Sequence, residues 1–393
     1  MKLPELRCLR EVELSEILKS IKKILSRGGV EETVVVGSDG STIVANYSVF
    51  KALEWLGVSY VPVSRGSSEK TYVPLEALGF FDSLESSKHR VFRDTEELLY
   101  RNWPTPLVRL KNSSLCGRTV WAKLEGYNPW SASIKDRIGW YMFKRLTEKL
   151  GSPPELVYEA TSTNTGLALA ALCSIHSSRF RAYLPSTAAA GEALFRIFGA
   201  EVVVSSKPLT VDLISDVRSA ADVDGAVNPN QFENDANFEV HLKYTAKELE
   251  IQMREAGIVP KAILGGLGTS GHMSAIALYF KSRFNGVKIY GVVPKPGESI
   301  RGIRRIETGM KWVHYVELDG VVDVSLEEAA RSAIEIARRD GILVGISSGA
   351  VYCAYRTMVD VGQLDEGDYV LIFPDSGFKY VDTLVRYLNK ATE

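Results

Sequence analysis

The chain of 393 residues carries 47 basic and 48 acidic side chains, and 45% of its residues are hydrophobic, so it is long and apolar enough to bury more than one core and is not disordered. A formal net charge of −1 offers no general attraction to nucleic acid or to an anionic membrane, and neither partner is expected. Cys8, Cys116, Cys173 and Cys353 lie far apart and the histidines show no ligand spacing, which argues against a disulfide framework and against a protein-bound metal.

Leu14, Ile17, Leu18, Ile21, Ile24 and Leu25 recur at helical spacing and end at Gly28-Gly29, predicting an opening amphipathic helix. Residues 33–36 and 42–45 flank Asp39-Gly40 as a hairpin, and Ser48 is expected to cap a helix reaching Leu56. Residues 1–95 therefore read as a small α+β extension, with the polar segment 83–94 as its linker. No run approaches the roughly 20 apolar residues of a membrane span. The charged N-terminus lacks the apolar stretch of a signal peptide, so a cytoplasmic protein is expected.

From residue 119 onward, short β-branched runs at 120–123, 156–158, 181–184, 201–204, 262–264, 288–293 and 369–373 alternate with helical stretches at 134–149, 165–174, 238–255, 273–284 and 326–339. This alternation predicts an α/β fold with mostly parallel, buried sheets. Ligands of such folds sit where strand ends turn into helix starts, so the loops there are the places to search.

Four loops stand out. Gly265-Gly266-Leu267-Gly268-Thr269-Ser270-Gly271-His272 joins a strand to a helix, and its amides and helix dipole suit a phosphate. It also spells G-x-G-x-x-G, the mark of a dinucleotide fold, but the next strand ends Val292-Val293-Pro294-Lys295 without the acid a nicotinamide ribose needs, so a phosphate monoester is favoured. Lys135, in the second loop at a helix start, is either a solvated charge or an amine whose proton affinity is lowered for Schiff-base chemistry, and spacing leaves both open. Thr161, Ser162, Thr163, Asn164 and Thr165 crowd a third helix start with more donors than a cap by Thr163 or Asn164 requires, which suits a carboxylate. Gly345-Ile346-Ser347-Ser348 opens another helix, and Pro374-Asp375-Ser376-Gly377 closes the last strand as an ordinary turn.

Taken together and in order, from Thr105-Pro106-Leu107 to Gly377, these loops resemble the cysteine synthase and cystathionine β-synthase family of pyridoxal-phosphate enzymes, which share the tryptophan synthase β-chain fold. Segments 230–238, 268–273 and 302–305, together with 60–82 of the extension, are most similar to its archaeal O-phosphoserine-using subgroup. The resemblance implies two parallel-sheet α/β domains, 96–233 and 234–393, with the cofactor in the cleft between them. It implies that Lys135 holds pyridoxal 5'-phosphate covalently and later moves the substrate's α-proton. Asn164 then lies beside the cofactor's ring hydroxyl, Gly268, Thr269, Ser270, Gly271 and His272 cradle its phosphate, and Ser347 faces its pyridine nitrogen.

By the same resemblance Thr161, Ser162, Thr165 and Gln231 bind the substrate carboxylate, and Phe232 lies near the same pocket. Arg304 is expected to bind a phosphate leaving group bidentately. Composition alone reads Arg301, Arg304 and Arg305 as a solvated basic stretch. The implied activity is conversion of O-phospho-L-serine and sulfide to L-cysteine and phosphate, with O-acetyl-L-serine as a second substrate and a homodimer as the assembly. Alternatives are a strict O-acetylserine enzyme or a cystathionine β-synthase and, outside the family, an NAD-binding oxidoreductase or a non-catalytic ligand sensor.

Overall fold

The computed structural model describes residues 1–84 and 89–390, so part of the expected linker lies outside the described residues. The extension holds α1 (Leu14–Arg27), β1 (Gly29–Glu32), β2 (Val34–Val36), β3 (Ile43–Ala45), α2 (Tyr47–Leu56), β4 (Val63–Arg65) and β5 (Lys70–Pro74). There β2 pairs antiparallel with β3 as the hairpin predicts and parallel with β4, while β1 pairs with β5. The predicted cap at Ser48 is corrected: the cap position falls two residues earlier, at Asn46, in the left-handed region at φ 58°, whose side chain donates to the Thr33 carbonyl and Ser68 Oγ, both at 2.8 Å.

The rest of the chain runs α3 (Glu97–Tyr100), β6 (Leu107–Leu115), β7 (Arg118–Leu124), α4 (Lys135–Leu150), β8 (Leu156–Ala160), α5 (Asn164–Ile175), β9 (Arg179–Leu184), α6 (Glu192–Ile197), β10 (Glu201–Val204) and α7 (Ile214–Asp224). It continues with α8 (Ala236–Val240), α9 (Ala246–Ala256), β11 (Ala262–Gly266), α10 (Gly271–Arg283), β12 (Lys288–Pro294), β13 (Gly320–Val324), α11 (Leu326–Asp340), α12 (Ile346–Asp360) and β14 (Gly367–Phe373). The helix expected over 238–255 is broken by a π-turn at His241–Thr245.

Two parallel sheets result. The larger has the order β13-β12-β11-β14-β7-β6, parallel except at β6, and the smaller has the order β10-β9-β8. Segment 96–233 contributes strands to both, since β6 and β7 join the larger sheet beside β14. Central β11, Ala-Ile-Leu-Gly-Gly, is buried at every residue, as a strand covered on both faces must be. Helices α5 and α10 are apolar nearly all round and buried to match. Among the described residues no helix is long and apolar enough to cross a membrane.

A fully buried charge cluster ties α4 and α9 to the end of β7. Arg137 of α4 donates to Glu125 through Nε at 2.6 Å and Nη2 at 3.0 Å, and to Glu248 of α9 through Nη1 at 2.7 Å and Nη2 at 2.8 Å. Lys123 of β7 adds Glu248 at 3.2 Å, the Thr105 carbonyl at 2.7 Å and Gln252 at 2.9 Å. Burial alone would raise the Glu125 carboxyl, but Arg137 and Lys123 prevail and hold it down at about 2. Two cations and two anions cancel, and each donor nitrogen finds an acceptor. Arg137→Met would leave two glutamates buried against one lysine, and the loss expected is about 3–5 kcal/mol, read as a lower urea midpoint; an unchanged midpoint would show that the cluster does not hold the fold.

Candidate active site

Loops at the strand ends enclose a cavity of about 380 Å³ between the sheets. Of the residues singled out from sequence, Lys135, Ser162, Asn164, Thr165, Gln231, Phe232, Gly268, Thr269 and Arg304 line it. Ser270, Gly271 and His272 are buried beneath Gly268 and Thr269 at the start of α10. Ser347, 2% exposed, sits behind Gly302, and Thr161 is fully buried below the α5 loop.

The first residues of α4 divide the work of placing Lys135. Asp136 folds the preceding loop back, accepting from the Trp130 amide at 2.7 Å, the Ser131 amide at 2.9 Å and Ser131 Oγ. Arg137 anchors the helix in the charge cluster. Lys135 itself forms no side-chain hydrogen bond among the described residues and extends to the cavity wall. Burial lowers its ammonium to about 8; Asp375 opposes that shift and the Lys379 ammonium adds to it.

At the other wall, β11 runs into α10 through Ser270, held left-handed at φ 72°. Gly271 admits no side chain, because a Cβ there would run into Asn237 Oδ1. Asn237 Nδ2 in turn donates to Thr269 Oγ1 at 2.8 Å and to the Gln231 carbonyl at 2.7 Å, so the loop is braced from below. Ser270 Oγ, Ser274 Oγ and both ring nitrogens of His272 are buried without a protein partner. Burial, helped by the Lys135 charge, drops the His272 imidazole to about 3, so it is neutral and keeps one N–H to give. Free donors beside the positive end of a helix form a site for an anion.

The α5 loop is tied differently from the cap its sequence suggests. Thr161 Oγ1 accepts from the Gly166 amide at 2.8 Å, while Thr163, at the cap position, makes no side-chain capping bond. Thr165 Oγ1 donates to Gln231 Oε1 at 2.7 Å and Gln231 Nε2 to the Ala160 carbonyl at 3.0 Å. Below them Glu159 accepts from the amides of Asn230 at 2.8 Å and Gln231 at 3.1 Å.

Arg304 lines the cavity with most of its donors already used. Nε meets the Gly268 carbonyl at 2.8 Å, Nη1 meets Thr308 O at 3.1 Å and Oγ1 at 3.0 Å, and Nη2 meets the Gly309 carbonyl at 3.0 Å, leaving one N–H free. Its guanidinium lies 5.2 Å from the Phe232 ring centre. Burial lowers the guanidinium to about 10, and Glu233 only partly offsets that shift. Sequence reasoning missed Arg386 and Tyr380, which also line the cavity, and Asp375 and Lys379 beside it. The Pro374-Asp375-Ser376-Gly377 turn was their visible signal.

The family model described as pyridoxal-phosphate dependent enzyme matches residues 98–375. Cysteine synthase B of Salmonella typhimurium is 33% identical over 288 residues, covering 71% of this chain and 92% of its own. A cysteine synthase of Staphylococcus aureus is 29% identical over 294 residues, covering 71% and 93%. Among solved structures, an O-acetylserine dependent cystathionine beta-synthase from Helicobacter pylori superposes with a TM-score of 0.66 at 26% identity, covering 74% of this chain and 98% of that one. O-acetyl serine sulfhydrylase isoform 3 from Entamoeba histolytica gives 0.64 at 25%, covering 77% and 94%.

Two titrations test this electrostatic picture. Labelling of Lys135 in the cofactor-free protein by an amine-acylating reagent should show a midpoint near pH 8 rather than the ordinary 10.5, and an ordinary midpoint would mean that the amine is solvated. Burial raises Glu159 from 4.5 to about 7, against the pull of its amide donors. Because the folded state holds this proton more tightly than the unfolded chain, its contribution to stability is full below pH 4.5 and is lost as pH rises through 7. Glu159→Gln should flatten that decline in thermal midpoint across this range; an unaltered pH profile would count against the assignment.

Proposed function

Because the chain belongs to the pyridoxal-phosphate dependent enzyme family and is of the cysteine synthase type, we propose that it makes L-cysteine from O-phospho-L-serine and sulfide, releasing phosphate. The observation that carries the choice of substrate is the charge of the cavity wall. Among the described residues its charged lining is Lys135, Arg301, Arg304 and Arg386, with no carboxylate. A cleft of one sign concentrates ligands of the other, and a phosphate ester brings about two negative charges.

The residues present fit the cofactor. Ser270, His272 and the amides from Gly268 onward offer the donors its phosphate needs, and the buried unpartnered atoms there support that use. Lys135 would hold it covalently, Asn164 would meet its ring hydroxyl and Ser347 its ring nitrogen. When bound, pyridoxal phosphate supplies an electron sink for the carbon bearing the amino group. Lys135 Nζ, with its lowered proton affinity, takes the proton from that carbon and so permits the C–O bond to the phosphate to break. Thr161, Ser162, Thr165 and Gln231 orient the substrate carboxylate. Phosphate leaves with the electron pair of the broken C–O bond; sulfide then adds to the same carbon, forming the C–S bond, and Lys135 Nζ returns the proton to the carbon bearing the amino group. The spare N–H of Arg304, over Phe232, is directed to the departing phosphate.

A second reading, O-acetylserine as the substrate, is favoured by one observation: Arg304 holds three backbone carbonyls and is not an empty fork. Both esters are decided by one assay, release of phosphate or acetate with and without sulfide. We expect phosphate release to exceed acetate release. Arg304→Ala should lower kcat/KM for O-phosphoserine at least about tenfold, the worth of one charge-assisted hydrogen bond, while acetylserine turnover persists. Equal loss on both esters would assign Arg304 to the architecture alone.

A further inference from the structure

Lys379 lies past the last loop motif and is largely withdrawn from solvent. Its ammonium donates to Asn164 Oδ1 and to the Ser131 carbonyl, and stands 4.0 Å from Asp375 Oδ2. Asn164 Nδ2 donates to that same carboxylate oxygen at 2.9 Å, and Tyr380 Oη donates to it as well.

These partners determine which way the Asn164 amide faces. An ammonium can only donate, so the amide atom beside Lys379 is the oxygen; an ionised carboxylate can only accept, so the atom beside Asp375 is the nitrogen. With one N–H given to Asp375, the amide keeps a second, which is shared between the Tyr380 hydroxyl and the cavity that Asn164 and Tyr380 both line. Lys379 also joins three segments from both sheets: the loop before α4 at Ser131, the start of α5 at Asn164, and the end of β14 through Asp375.

We propose that Lys379 is a positioning residue which, together with Asp375, fixes the Asn164 amide so that its remaining N–H is presented to the ligand in the cavity. The inference rests on the reading that this ligand is pyridoxal phosphate. Burial lowers the proton affinity of Lys379, Asp375 and Asp136 favour its charge, and Lys135 opposes it across the same space. Without Lys379, Asn164 Oδ1 loses its donor, the amide is free to turn, and Asp375 acts on Lys135 without its counter-charge.

The test is a double-mutant cycle read by pyridoxal phosphate affinity, from equilibrium dialysis, and by the pH dependence of the bound cofactor's absorbance. Lys379→Met should weaken binding by about tenfold and shift that pH dependence, the loss ordinarily found for one hydrogen bond to a charged group. In an Asn164→Ala background the same substitution should change affinity by less than about twofold, and Lys379→Arg should restore most of it. An equal loss in both backgrounds, or wild-type affinity and absorbance in Lys379→Met, would overturn the proposal. If Lys379→Met does not fold, Lys379→Ala, which likewise removes the donor to Asn164 Oδ1, carries the same comparison. A wild-type protein that takes up no cofactor would instead sink the reading of the cavity, and this inference with it.

Discussion

Arg137 is fully buried, and the two glutamates that keep it charged come from different elements. Glu125 follows the strand β7, Glu248 lies on α9, and the guanidinium joins them from the first turn of α4. An ion cluster of this kind contributes little net stability compared with a well-packed apolar substitute, but it tolerates few geometries. Its value here is placement. Two residues before Arg137 is Lys135, so wherever the cluster fixes the helix start, it fixes the amine.

That amine sits among opposed influences. Desolvation and the Lys379 ammonium push its proton off, while Asp375 and Glu125 draw it back, and the balance leaves it near neutrality. Across the cavity, the histidine at the start of α10 is kept uncharged by the same desolvation and by the lysine itself. The wall as a whole is therefore positive without being crowded by like charges at their closest approach. A phosphate-bearing ligand would relieve both the unpaired donors of the α10 cradle and the unmatched guanidinium charges nearer the mouth.

Much of this was legible in the order of residues, because buried parallel strands and glycine-rich turns leave strong local marks. The runs at 201–204 and 288–293 became β10 and β12 nearly to the residue. Missed elements have weak signals: β6 ends in polar Lys111, Asn112, Ser113 and Ser114, and β13 is a short edge strand with alternating exposure. The π-turn at 241–245 widens the helix to i→i+5 bonds, yet its residues His-Leu-Lys-Tyr-Thr include no glycine or proline to mark the change. The hydroxyl-rich α5 loop and the glycine loop were found, since their donors are contiguous in sequence. Lys379 was not, because its partners stand at 131, 164 and 375, and only the folded chain brings them together. Arg304 was found, yet its engagement by the carbonyls of 268, 308 and 309 depends on a loop crossing that spacing does not reveal.

The extension is not a separate module. Ile21, Leu25, Leu53 and Phe80 share one apolar core with Met273, Ile276, Tyr279 and Phe280 of α10, and the Phe80 and Tyr279 rings stack 6.3 Å apart. Buried Lys247 of α9 reaches the carbonyls of Gly57 and Phe80 from the other side. The family match begins only at residue 98, but the helix whose first turn forms the anion cradle leans on what precedes it. In evolutionary terms the two parts cannot drift independently: an inherited change of side-chain volume in the first eighty residues is transmitted along a packed helix to the active centre.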